Sequence, residues 1–187
     1  MKPVDPLAII RKYYDPESEL YEVLVGHSRM VAKKALEVAR AVEHLNPDLK
    51  FIEEAAMLHD IGIFRVNFPE IGCKGGLPYI CHGVLGREIL ETEGLPGHAL
   101  VCERHIGTGI TRAEVVKRNL PLPKRDMVPV SIEEKIICFA DKFFSKDRGN
   151  LFTEKSINQI KRNLAVLGAE KVRKFEEWAA FFCLDGS

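Results

Sequence analysis

The sequence lacks the features that would assign it to several special classes of protein. It has no surplus of charge, since 27 Lys and Arg residues balance 27 Asp and Glu residues, so neither a long nucleic acid nor an anionic membrane is an expected partner. Its longest apolar run, 178–184, is far shorter than the roughly 20 residues that cross a bilayer. Pro3, Asp5 and Pro6 interrupt the region where a signal peptide would be apolar, so we expect a soluble, cytoplasmic protein. The five cysteines include no C-x-x-C pair, which argues against a disulfide framework and a Cys-rich zinc module.

What the chain does contain is a succession of segments with helical spacing, separated by turn residues. We therefore predict one all-α domain over residues 1–187, with about seven to eight helices. Thr111 with Glu114, and Ser131 with Glu134, match the capping box that begins a helix. The Gly-rich stretch 66–76 and the Pro-bearing stretch 119–130 are predicted to be irregular loops. The predicted helices are 6–13, 18–45, 48–60, 77–93, 97–106, 112–119, 132–145 and a C-terminal packing helix at 155–183.

Polar side chains interrupt the apolar faces of four of these helices. His27 takes a core position between Leu24 and Val31, and His59 follows Ile52 and Ala56 in the same way. The other two interruptions are Asp141, one turn after Ile137, and His82, near Leu85 and Ile89. Four helices are thus predicted to direct a histidine or a carboxylate into the interior.

A buried carboxylate such as Asp141 needs a cation, a hydrogen-bond network or a raised pKa, because burial of an unpaired charge costs several kcal/mol. A transition metal satisfies several such groups at once, since it binds neutral imidazole and carboxylate together. Any one of the histidines, taken alone, is more often an ordinary core or surface residue. Four coincidences in one chain favour a metal site.

The most specific local string is Leu58-His59-Asp60-Ile61-Gly62. Adjacent residues on a helix point about 100° apart, so His59 and Asp60 can bind one metal only near a helix end. Gly62 is predicted to mark that end as the C′ glycine of the helix.

With these residues in place, the chain resembles the HD superfamily of metal-dependent phosphohydrolases. The resemblance extends from His27 to Asp141 and implies an HD helical bundle with a core at about 18–146. It also implies one metal held by His27, His59, Asp60 and Asp141 and a second held by His82 and His105, with Asp60 bridging the two. The implied metal ligands are His27, His59, Asp60, His82, His105 and Asp141.

Within the superfamily, the strings around His82, His105 and Asp141 are similar to small bacterial HD enzymes that cleave diadenosine tetraphosphate. The stretch 119–130 departs from that pattern. The resemblance implies hydrolysis of a phosphoester or phosphoanhydride, of a nucleotide or dinucleotide, by a hydroxide held between two divalent metals. The implied combination of histidine and carboxylate ligands suits Fe, Mn, Co, Ni or Zn better than Mg. Because helical HD proteins often pair, the resemblance also allows a homodimer.

Basic residues beside the implied ligands are candidates for binding the phosphate. Lys142 and Arg65 adjoin ligands, so we assign them to catalysis together with Asp60 as well as to substrate binding. His98 is seven residues before His105, hence about 10.5 Å away along the helix, and is a candidate proton donor. The predicted substrate-binding residues are Arg65, Lys74, Arg104 and Lys142.

Two other classes of function share this set of ligands. A minority of HD proteins are diiron oxygenases, of the myo-inositol oxygenase kind, and a non-catalytic nucleotide-binding HD module would also keep the fold. Dependence on oxygen without phosphate release would indicate the oxygenase. Ligand binding that survives removal of the metal would indicate the module.

Overall fold

The structure is a computed structural model and describes residues 4–182. It is built mainly from helices, which confirms the all-α prediction, with one small sheet inserted between the third and fourth helices. None of the helices in this range is both long enough and apolar enough to cross a membrane. The helices are α1 Pro6–Ile10, α2 Glu19–Ala41, α3 Leu49–Leu58, α4 His82–Thr92, α5 Pro96–Arg104, α6 Arg112–Lys117, α7 Ile132–Asp141, α8 Ile157–Ala165 and α9 Ala169–Phe181.

The core lies where α2 packs on α3 and α7, and where α4 packs on α5. These helices bury their apolar faces, as the 3.6-residue period requires. At the other end of the core, the ring of Phe139 in α7 stacks on Phe175 of α9 at 5.0 Å and lies 5.1 Å from Phe182. The C-terminal helix therefore packs as predicted, but it is not continuous. Gly168, with φ of 132°, separates α8 from α9.

The stretch 66–76 is not the irregular loop that its composition predicts. It forms strands β1 Val66–Phe68 and β2 Cys73–Lys74, which pair antiparallel, while β3 Leu77–Pro78 pairs parallel to β1. The predicted helix 77–93 accordingly begins five residues late, at His82, after a 3₁₀ turn at Tyr79–Cys81. Short strands like these lack the alternating pattern that would reveal them in the sequence.

The capping interactions at the N-termini of α6, α7 and α8 can be compared with those predicted from the sequence. The capping box at Thr111 is present in full. Ser131 caps α7, but the Glu134 side chain does not accept a hydrogen bond from the Ser131 backbone N–H, as a capping box requires. It accepts one from the Val130 backbone N–H instead. A third N-terminus, Ser156 with Gln159, forms a complete box that the prediction missed because Gln replaces Glu.

The four cysteines of the described range are all buried and unpaired, as expected for reduced thiols. Cys102, for example, donates to the Leu58 carbonyl at 3.2 Å. Cys183 and the end of the predicted helix 155–183 lie outside the described residues.

Candidate metal centre

Gly62 is required by packing and not by helix capping. The helix α3 ends at Leu58 with His59 as its C-cap, and Gly62 has an ordinary right-handed φ of −83°, so the predicted C′ role is wrong. A Cβ on Gly62 would lie 2.3 Å from the His82 carbonyl oxygen and 2.5 Å from the Gly86 backbone nitrogen. The missing side chain lets the turn after His59-Asp60 lie directly against the start of α4.

A second glycine, without a side chain at the contact, allows α4 and α5 to approach closely. A Cβ on Gly83 would lie 2.5 Å from the Cys102 carbonyl oxygen. Because the two helices approach so closely, His82 at the start of α4 and His105 just after α5 bring their Nε2 atoms within 3.1 Å. The glycines next to the predicted ligands thus set the separation of the histidines.

All six predicted ligands meet in one buried cluster, with each of them at most 8% exposed. Asp60 is at the centre. Its Oδ2 atom lies 3.3 Å from His27 Nε2 and 3.0 Å from His59 Nε2. Its Oδ1 atom lies 3.3 Å from His82 Nε2 and 3.4 Å from His105 Nε2. The two oxygens of one carboxylate therefore face two different pairs of histidines.

Asp141 completes the first of these groups. Its Oδ1 atom lies 3.0 Å from His27 Nε2 and 3.4 Å from His59 Nε2. Ligand atoms of His27, His59, Asp60 and Asp141 all lie within 4.8 Å of one another, and the same holds for Asp60, His82 and His105. These are the two groups that the resemblance implied for two metals.

Hydrogen bonds fix three of the four imidazoles in the form that binds metal. His59 Nδ1 donates to the Ala56 carbonyl at 2.6 Å, and His82 Nδ1 donates to the Tyr79 carbonyl at 2.6 Å. His105 Nδ1 donates likewise to the carbonyl of Cys102 at 2.7 Å. Since a carbonyl only accepts, each Nδ1 keeps its proton and each ring directs Nε2 into the cluster, where the neutral imidazole presents its lone pair.

Several polar atoms in the cluster lack a hydrogen-bond partner in the described part of the chain. Within residues 4–182, His59 Nε2 and both carboxylate oxygens of Asp60 are buried without a hydrogen-bond partner, although charged groups lie close by. His82 and His105 present two lone pairs to each other at 3.1 Å, an arrangement that only a cation between them or an added proton relieves. The donor set of imidazoles and carboxylates fits divalent transition metals.

The pKa values of the clustered histidines agree with a role in binding divalent metals. Burial lowers the pKa of His82 to about 3 and also lowers the pKa of His105, so both imidazoles are neutral at pH 7. Burial also acts to lower the pKa of His59, but the charges of Asp60 and Asp141 outweigh it and raise that pKa to about 9. Without metal, therefore, His59 holds a proton at the position that a cation would take.

A cavity of about 530 Å³ opens beside the cluster at Asp141. One side comes from β1 and the turns around the sheet, and the other from α8 and the segment that joins it to α7. Three lysines line it, namely Lys142, Lys146 and Lys155, and Tyr79 contributes its ring. Burial raises the pKa of Tyr79 to about 12, so its hydroxyl stays protonated.

Two of these lysines contact the metal-binding carboxylates. Lys142 Nζ donates to Asp141 Oδ2 at 2.6 Å and to the His105 carbonyl at 3.1 Å. Lys146 Nζ lies 2.7 Å from Asp60 Oδ2. Of the four predicted substrate-binding residues, only Lys142 lines the cavity, and the sequence analysis missed Lys146, Lys155 and Tyr79.

The other predicted residues are engaged elsewhere in the structure, and their placement does not support the assigned roles. Arg65 pairs with Glu88 at 2.9 Å on the surface, and Lys74 is exposed on β2. Arg104 forms two bonds to Glu134, at 2.8 and 3.0 Å. These three side chains bind partners or solvent outside the six-residue cluster, so their assignment to the substrate stays a prediction.

His98 is also removed from the cluster, as its spacing from His105 suggested. Its Nε2 atom lies 3.3 Å from Glu54 Oε2, and its ring meets Phe51 edge-on at 4.8 Å. The imidazole is therefore held between α3 and α5, where it contacts none of the cluster. Nothing in this placement supports a role for His98 as proton donor.

These features define a helical protein with a buried cluster of histidines and aspartates whose chemistry suits divalent metals. The family model described as HD domain matches residues 24–146, a range that contains all six ligands. The chain belongs to the HD domain family.

Other relatives share parts of the chain. An uncharacterized protein of Methanocaldococcus jannaschii is 37% identical over 64% of this chain and 65% of its own length. Two proteins named tRNA (cytidine(56)-2'-O)-methyltransferase, from Thermoplasma volcanium and Picrophilus torridus, are 30% and 34% identical over 84% and 68% of this chain. The chain spans only 42% and 33% of those two. Among solved structures, the HD domain of the L. monocytogenes phosphodiesterase PgpH matches with 17% identity and a TM-score of 0.49, over 86% of this chain and 94% of that one.

Proposed function

We propose that the protein is a metal-dependent phosphohydrolase that cleaves a phosphoester or phosphoanhydride bond of a small organic phosphate, such as a nucleotide. The observation that carries the proposal is that two groups of candidate metal ligands share Asp60, and that one of these groups reaches, through Asp141, a cavity lined with lysines. Membership in the HD family supports a hydrolase of this kind. When bound, two divalent metals would supply Lewis acidity and lower the pKa of a water molecule to near neutrality.

The protein's own groups would prepare the site in three ways. The backbone carbonyls of residues 56, 79 and 102 hold the imidazoles with Nε2 inward, so no ligand has to change tautomer when metal binds. Lys142 fixes the orientation of Asp141 and ties it to the backbone of His105. The Tyr79 hydroxyl, protonated at all physiological pH values, can donate to a phosphoryl oxygen.

The cavity also suits the organic part of a nucleotide. Phe68 and Tyr79 lie 4.7 Å apart and line it on one side, and Ile160 and Leu164 of α8 line it on the other. Apolar walls with a few polar groups are typical of small-molecule sites of this volume. Asn163 adds one amide that could bond to the edge of a base.

The decisive experiment combines metal analysis with phosphate release. The purified protein would be analysed for bound metals, freed of them with a chelator, and assayed on a panel of nucleotides after adding back Mn, Fe, Co, Ni or Zn. We expect no phosphate release without metal and recovery with at least one of these ions. Turnover that consumes oxygen and releases no phosphate would replace the proposal with an oxygenase. Nucleotide binding that persists without metal and never leads to turnover would replace it with a binding module.

A further inference from the structure

We propose that the cavity is a receptor for a single terminal phosphate, so that the substrate is a phosphate monoester of about mononucleotide size, and that Lys155 with Lys146 decides this specificity. The inference rests on the proposed function and narrows it. Its basis is the unequal distribution of charge along the cavity, which is positive beside the metal ligands and negative at the mouth.

At the inner end of the cavity, beside Asp141, some lysine N–H donors are not used in hydrogen bonds within the described part of the protein. An ammonium group has three N–H donors. Lys142 spends two of them on Asp141 and the His105 carbonyl, and is therefore a positioning residue. Lys155 spends only one hydrogen bond, to the Phe144 carbonyl at 2.7 Å, and takes part in no ion pair among the residues that the structure describes. Lys155 thus offers an uncompensated positive charge to the cavity.

Lys146 becomes available when metal binds. It is paired with Asp60 Oδ2, the same oxygen that faces His27 and His59. A divalent cation bound to that oxygen would repel the ammonium and release it toward the cavity, which Lys146 also lines. Together with Lys155 it would then meet the two negative charges of a terminal phosphate.

The mouth of the cavity carries the opposite charge. Glu70 and Asp147 line it and are exposed. The Asp147 carboxylate accepts hydrogen bonds only from the Gly149 backbone N–H and the Asn150 side-chain amide, and no cation pairs with it within the described range. A chain of further phosphates that extended outward would meet these carboxylates at close range and be repelled. The region between the two ends is apolar and suits one uncharged organic group. A dinucleoside polyphosphate fits this gradient poorly.

The first test compares matched substrates on the metal-loaded protein. The pairs are p-nitrophenyl phosphate against bis(p-nitrophenyl) phosphate, and a nucleoside 5'-monophosphate against its 5'-diphosphate and the dinucleoside tetraphosphate. We expect kcat/KM to be at least roughly tenfold higher for each monoester, the effect of one charge-assisted hydrogen bond. Equal or better turnover of the diester or the polyphosphates would overturn the inference and leave the proposed function intact. Hydrolysis of none of them would remove the proposed function, and the inference with it.

The second test measures binding without turnover. Inorganic phosphate would be titrated into the metal-loaded protein by calorimetry, for the wild type, Lys155→Met, Lys155→Arg and a matched control, Lys161→Met. Lys161 lies on α8 but pairs with Glu176. We expect Lys155→Met to raise the Kd for phosphate roughly 10- to 100-fold with metal content unchanged, Lys155→Arg to keep most of the affinity, and Lys161→Met to match the wild type. If Lys155→Met shifts the Kd no more than Lys161→Met does, Lys155 is not part of the receptor.

Discussion

The two sides of the active-site region are built on different principles. The ligand helices, which we define as α2, α3, α4, α5 and α7 with the turns that follow them, hold every metal ligand in buried positions with three rings fixed by backbone carbonyls. The pocket wall, defined as residues 66–79 and 142–165, is made of very short strands, turns and one helix, and it carries Lys146 and Lys155. Under the proposed function, catalysis is placed on rigid elements, while substrate recognition is placed on segments that can change sequence without disturbing the core.

The strongest test of this division compares one carboxylate from each side. Asp60→Ala removes the group shared by both sets of ligands, so we expect phosphohydrolysis to fall at least about 10³-fold, as when an essential catalytic group is lost, and metal content to fall with it. The control is Asp147→Ala at the mouth of the cavity, which should keep its metal. Metal analysis and phosphate release measure both. Retained metal and activity in Asp60→Ala would show that the centre is wrongly assigned.

A second pair compares aromatic residues. Phe139 in α7 is fully buried against Phe175 and Phe182, so Phe139→Ala should lower the free energy of unfolding by about 3–5 kcal/mol. Phe152 in the pocket wall is 69% exposed, and Phe152→Ala should change the free energy of unfolding by less than about 0.5 kcal/mol. Urea denaturation of the metal-free variants measures both values. Similar losses for the two would mean that the pocket wall shares in the stability of the core.

A third pair compares glycines. Gly62→Ala places a methyl group 2.3 Å from the His82 carbonyl oxygen, so α4 must move away, at a cost of about 1–3 kcal/mol in unfolding free energy and with reduced metal affinity. A Cβ on Gly76, in the turn between β2 and β3, would meet nothing within 4 Å, and Gly76→Ala should leave both quantities nearly unchanged. Thermal unfolding and metal titration test the pair. An unchanged metal affinity in Gly62→Ala would disprove the link between this contact and His82.

The last comparison concerns the sign of the pH dependence of binding on the two sides. Proton and metal compete for His59 Nε2, so metal affinity should rise by up to about tenfold per pH unit until the pH reaches the pKa of about 9. Phosphate binding should change in the opposite direction. Burial lowers the pKa of Lys155, so its charge, which attracts phosphate, disappears as the pH rises through that lowered pKa. Titrations of metal between pH 6 and 10, and of inorganic phosphate above about pH 8, where phosphate stays doubly ionised, would show whether the two trends diverge.

The sequence was informative wherever a residue's place followed from a helix. His27, His59, His82 and Asp141 interrupt apolar stripes, so helical periodicity alone directed them inward, and the HD pattern supplied Asp60 and His105. Lys146 follows the end of α7, where the chain leaves the predicted helix 132–145 at Lys142. Its position depends on the path of a turn, and Lys155 depends on where α8 docks. Neither leaves a periodic signal in the sequence.

The hydrogen bonds from three histidines to carbonyls three residues earlier bear on the order in which the centre assembles. Each of these bonds closes within a single turn of chain, so the rings of His59, His82 and His105 can be aimed as soon as their own helix ends form. His27 is different, because its Nδ1 atom is buried without a partner within residues 4–182. Its ring is oriented only when α2 docks against its neighbours. Docking of α2, the longest helix, therefore completes the set formed by His27, His59, Asp60 and Asp141. Metal binding by this set would then indicate that the tertiary structure has formed.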